Sequence, residues 1–282
     1  MELPCPEKFW ELRVHRTLEK EGVTGLCVGY ESGQWRTKDF VDYIIEWLPE
    51  FALNSREREN LVHQNAVATL RKAATLIYKS QKFNNRGEFG EIFLHAAIRS
   101  VFNSTPAISK IFYKSSHNET VKGFDCVHVV GPITALELWI GEVKFYSDLK
   151  GAVSDVIPEL ERHTSVDFLK DEFSLIGNKV DDNDSFANSL KELLSHRKSL
   201  DDVFKRICVP IMLTYESDAI DANTIANQDY EEAFSQEIEA HYTHFKSKYK
   251  LNIRFHLFLF PMKSKNDLVT ALDNKLKAWQ VL

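Results

Sequence analysis

Glu142 and Lys144 stand two residues apart in the run 136–146, which is otherwise rich in apolar residues. Residues two apart on a strand share a face, so both side chains should project alongside Leu138 and Ile140. A carboxylate and an ammonium on a buried strand are costly unless they pair, hold a metal or act in chemistry. The preceding strand candidate, residues 124–130, carries Asp125 near its start. If the two strands pair as a hairpin across residues 131–135, Asp125 comes to lie beside Glu142. Two carboxylates and a lysine at one sheet end suit a hard divalent cation such as Mg2+ (or Mn2+). Such a cation acidifies bound water and polarises a phosphoryl group, and a lysine orients that water or stabilises developing negative charge.

One element earlier, a helix expected over residues 88–101 places Glu88, Glu91 and His95 on one face. Glu91, deeper in the helix, is the better candidate to complete a metal shell. Glu88 also reads as a first-turn acid favoured by the helix dipole. Lys79, Lys82 and Arg86 are candidate phosphate contacts, with a solvated basic cluster as the alternative. Asp148 with Lys150, and Asp273 with Lys275, repeat the acidic-x-Lys spacing. The first pair falls where a helix should begin. The second lies on an amphipathic C-terminal helix, where a solvated face is expected.

The surrounding pattern is a helix over 37–53, another over 66–78, and strands over 24–30, 108–113, 124–130, 136–146, 207–215 and 253–260. Helices are expected over 148–163, 185–205, 228–249 and 264–279. That order predicts an α/β fold: a mixed sheet flanked by helices, with a mainly helical N-terminal extension over 1–60 and the main domain over 61–282. The acid-rich stretch 178–184 lacks the glycine and closing glutamate of an EF-hand and reads as a surface loop.

The chain has 282 residues, 44% hydrophobic and 27% charged, the profile of an ordinary soluble protein. Its net charge of −6 opposes free-standing, high-affinity DNA binding without excluding a local basic rim. No apolar stretch nears the ~18 residues that span a bilayer. The N-terminus lacks the layout of a signal peptide, and four scattered cysteines show neither zinc spacing nor a disulfide framework. A cytoplasmic protein with reduced thiols is the expectation. The ten histidines form no zinc-protease pattern, and no phosphate-cradling loop is present. His95, His128 and His163 read more naturally as core or surface residues than as ligands.

In order, Glu91, Asp125 and Glu142-x-Lys144 resemble the PD-(D/E)xK nuclease superfamily over residues 80–165, with Phe124 where many members have proline. More narrowly, Arg-Gly-Glu-x-Gly-Glu at 86–91, Lys-Gly-Phe-Asp at 122–125 and Trp-Ile-Gly-Glu-Val-Lys-Phe-Tyr at 139–146 resemble the HamA nuclease effectors of Hachiman antiphage defence systems. That resemblance implies a restriction-endonuclease-like fold and a Mg2+-dependent DNase with Glu91, Asp125 and Glu142 on the metal and Lys144 in catalysis. It also implies a HamB-like helicase partner that restrains the nuclease, and DNA contact near Lys82 and Arg86. A repair, recombination or restriction nuclease of the same fold is the alternative. A catalytically inert interaction subunit is a further one.

Overall fold

A computed structural model describes residues 5–77, 87–108 and 123–282. Among these, strands β1 (Glu11–Thr17), β2 (Glu21–Cys27), β5 (Thr105–Ile108), β6 (Cys126–Val130), β7 (Glu137–Lys144), β8 (Ile207–Glu216) and β9 (Arg254–Met262) build one sheet. Its order is β1-β2-β9-β8-β7-β6-β5, and β3 (Tyr30–Glu31) pairs with β4 (Gln34–Trp35) in a small ribbon. β2, β9, β8 and β7 run parallel, while β1, β6 and β5 join antiparallel. The mixed sheet is therefore the one expected. β8 is buried along nearly its whole length, which is why it reads as a continuous apolar run.

The helices form two layers. α1 (Thr37–Glu46), α4 (Ala66–Ile77), α5 (Gly87–Phe102) and α12 (Lys265–Gln280) cover one face. Between them, α2 (Leu48–Ala52) and α3 (Ser55–Glu59) complete an N-terminal helical portion. Phe40 of α1, Phe93 of α5 and Phe260 of β9 meet with ring centroids 4.9–5.3 Å apart and anchor this layer to the sheet. α6 (Leu149–His163) and α11 (Gln228–Lys248) cover the other face. α7 (Val166–Lys179), α8 (Ala187–Leu193), α9 (Leu200–Phe204) and α10 (Asp218–Asp221) fill the connections.

Several details depart from the sequence pattern. Residues 11–17 form a strand that is not among those expected: β1 is an edge strand whose apolar residues are only Leu12 and Val14, set among Glu11, Arg13, His15 and Arg16. The N-terminal segment thus gives the sheet two strands besides its helices. The helix expected over 185–205 is two, because Ser199 accepts a hydrogen bond from the Asp202 N–H and starts a new N-terminus. Asp273 does not face solvent: it is buried and paired with Lys277 at 2.7 Å, while Lys275 bonds Asp42. The strand expected over 108–113 and the basic residues Lys79, Lys82 and Arg86 lie outside the described residues, apart from Ile108, which ends β5.

Candidate functional site

β7 lies between β6 and β8, and its alternation decides everything around it. Gly141 and Val143 face α5, where a Cβ on Gly141 would stand 2.8 Å from Leu94 and one on Gly90 would stand 2.6 Å from Val143. The two glycines let α5 seat directly on the strand. Glu142 and Lys144 point to the opposite layer, towards α6. Cys126 pairs with Gly141, so Asp125, just ahead of β6, lies at the end of the ladder beside the carboxyl half of β7. The Asp125 N–H donates to the Gly141 carbonyl at 2.7 Å, and its carboxylate accepts the Val143 N–H at 2.9 Å. Asp125 therefore closes the end of the hairpin ladder with its own side chain.

Glu142 is 1% exposed, and its partner is the His163 imidazole, which closes α6. Lys144 pairs with Glu159, one turn earlier on that helix. The match is geometric: two strand residues advance about 6.6 Å and four helix residues about 6 Å, so two cross-links form side by side. The helix runs back along the strand, which is why the pairing order is reversed. Arg162 Nη2 donates to His163 Nε2 at 3.1 Å, which assigns the ring proton to Nδ1 and makes that nitrogen the donor to Glu142. Phe168 stacks on the His163 ring at 4.4 Å and 18°, and Phe124 meets it edge-on at 5.4 Å. Burial lowers the His163 pKa below its ordinary value, with the nearby charges of Glu159, Arg162, Asp125 and Lys144 acting in both directions. The ring is thus neutral near pH 7.

Of the expected site residues, Glu142 and Lys144 share one face of β7, and Asp125 lies at the same sheet end with its carboxylate on the Val143 N–H. Glu91 belongs to α5, on the opposite layer, beside the turn where Gly90 meets Val143 and Phe145. It is half-buried, as is Glu88 in the first turn. Glu142, Glu159 and His163 each bring a ligand atom within 4.8 Å of the others, a trio that contains neither Glu91 nor Asp125. His163, read from the sequence as a core or surface residue, is in the site, and Glu159 was not singled out. The signal was present as Glu159-x-x-x-His163, an i,i+4 pair on the helix after the lysine strand. Lys265, at the start of α12, also reaches this end of the sheet, its ammonium 5.2 Å from the Phe145 ring and 5.7 Å from that of Tyr146.

The other two histidines build a separate network under α5. His95 Nδ1 lies 3.2 Å from His128 Nε2, and His128 Nδ1 lies 2.9 Å from Ser104 Oγ. His95 Nε2 faces the Glu50 carboxylate at 3.2 Å, and Arg99 donates to both Glu50 and the Ser104 carbonyl. Burial alone would raise the Glu50 pKa, but hydrogen bonds and charge from His95 and Arg99 outweigh it and hold the carboxyl at about 2. No described helix is long and apolar enough to cross a membrane.

The family model described as HamA matches residues 4–276 of the chain. A curated relative, Anti-bacteriophage protein A of Escherichia coli (strain K12), is 22% identical over 259 residues, covering 88% of this chain and 46% of the relative. The chain spans about half the length of that relative.

Proposed function

The chain belongs to the HamA family, and from that premise we propose that it is a metal-dependent DNA endonuclease effector of an antiphage defence system, controlled by a helicase partner. The name of the Escherichia coli relative supports the defence role. The observation that carries the chemistry is the convergence of Asp125, Glu142 and Lys144 at the carboxyl end of β7, where open parallel strands commonly bind ligands.

Asp125 and Glu142 would hold Mg2+ (or Mn2+), without Glu91, which stands across the sheet from Glu142. The donor set fits, since both strand residues offer carboxylate oxygens of the kind hard cations prefer. Such a cation supplies an acidified water and charge for the phosphate when bound. Asp125 is held by the Val143 N–H, so its carboxylate is oriented before any substrate arrives. Lys144, tied to Glu159 here, carries the charge that would meet the scissile phosphate or its attacking water. Lys265 adds a second ammonium at that end for the DNA backbone.

The test incubates the purified chain with plasmid DNA, with and without Mg2+ or Mn2+. Cleavage by the wild type should stop with chelator and should be lost in Lys144→Ala while the circular dichroism spectrum is unchanged. Equal degradation by both proteins would remove the site assignment. If neither cleaves, adding the helicase partner separates a restrained nuclease from an inert subunit.

A further inference from the structure

We propose that Glu142, Glu159 and His163 form a binding site for a nitrogen-accepting divalent cation of the Zn2+ class, and that this cation competes with Lys144 for Glu159. The inference deepens the nuclease reading, because Glu142 belongs to both ligand sets, but it is tested by binding and not by cleavage. Three observations carry it. Each of the three residues presents a ligand atom within 4.8 Å of the other two. Two of them are buried, Glu142 at 1% and His163 at 2% exposure, so the ligands are held by packing before any ion arrives. All three project from regular elements, with Glu159 and His163 one turn apart on α6 and Glu142 opposite them on β7.

The donor chemistry selects the ion. Mg2+ demands oxygen ligands in octahedral geometry and sheds water reluctantly. One imidazole with two carboxylates suits Zn2+ or Mn2+ better, and three protein ligands leave a coordination position open. The aromatic stack on His163 fixes the ring plane, as the surroundings of metal-binding histidines commonly do.

The positions a cation would take are now held by positive or protonated groups. Lys144 pairs with Glu159, and the His163 Nδ1 proton points at Glu142. Binding through Nδ1 moves that proton to Nε2 or to solvent, so Arg162, which is 66% exposed, must turn away from Nε2. Lys144 must at the same time release Glu159, which frees its ammonium at the end of the strand.

Titration of the full chain with Zn2+ against a chromophoric chelator measures the site directly, with circular dichroism to confirm folding. One Zn2+ should bind per chain. His163→Gln and Glu159→Gln should each weaken binding by at least about tenfold. Lys144→Ala should tighten it, because the competitor for Glu159 is gone, and Asp125→Asn should leave it unchanged. Glu159 is partly exposed, so Glu159→Gln remains informative if His163→Gln fails to fold. Absence of Zn2+ binding by the wild type, or wild-type affinity in Glu159→Gln, overturns the site. Loss of binding in Asp125→Asn with retention in His163→Gln overturns it too, by placing the ion on the hairpin carboxylates. Weakened or unchanged affinity in Lys144→Ala overturns the competition. None of these outcomes touches the plasmid assay, which judges the nuclease reading by itself.

Discussion

Asp125 does two jobs that one pair of substitutions separates. Its carboxylate accepts the Val143 N–H and also belongs to the proposed metal shell. Asp125→Asn keeps an acceptor for that N–H and removes the charge. We expect its cleavage rate to fall by at least ~100-fold with little change in the urea midpoint. Asp125→Ala should lose the same activity and about 1 kcal/mol of stability besides, since it strips the hydrogen bond as well. Equal stability of the two variants would show that the bond holds nothing. Asp125, Glu142 and Lys144 were legible in the sequence because strand alternation is local, and one hairpin suffices to bring them together. Glu159 and His163 were not, because an acid and a histidine on an amphipathic helix look like any solvated or packed pair. Their meaning depends on which strand the helix covers, and periodicity does not say that.

Among the elements, β7 and β8 are covered from both layers, and Gly141 is the narrowest point of β7. A Cβ there would stand 2.8 Å from Leu94 and 3.1 Å from Pro210. Gly141→Ala should therefore destabilise the protein by roughly 1–3 kcal/mol despite alanine's lower chain entropy, measured as a drop in the urea midpoint. A wild-type midpoint would mean that α5 shifts without cost. The buried strands and long helices were readable because β8 and β9 are nearly unbroken apolar runs and α11 and α12 begin at Asn227 and Ser264, both side-chain caps. β1 was not, since an edge strand needs charge to discourage pairing with strangers, and that leaves it only Leu12 and Val14 as an apolar signal. Asp273 misled for the opposite reason: its helix is polar enough to suggest a solvated face, yet α1 and α4 pack onto it.

Taken whole, the molecule carries one buried ionic network on each side of β7, and the one under α5 should govern acid stability. Glu50 is 8% exposed and its carboxyl sits at about 2, below its unfolded value of 4.5. A depressed carboxyl stabilises the fold fully above the unfolded value, and that stabilisation is lost as pH falls from 4.5 towards 2, amounting to roughly 3 kcal/mol. Urea unfolding across this interval should show the loss. Glu50→Gln should flatten it, while lowering stability at neutral pH by leaving the Arg99 charge buried and uncompensated. An unchanged acid limb in that variant would assign the loss to other carboxyls. The sheet order also has a consequence in time. β2 leaves the ribosome more than 220 residues before the strand it pairs with, from Glu21↔Phe255 to Gly25↔Leu259, is made. At ordinary rates of synthesis that wait lasts on the order of tens of seconds. Meanwhile the hairpin that bears Asp125, Glu142 and Lys144 needs only its own neighbours to pair. β9 is thus a clasp: a nascent chain halted before residue 254 holds Asp125, Glu142, Lys144, Glu159 and His163, but neither Lys265 nor the strand that joins β8 to the N-terminal hairpin.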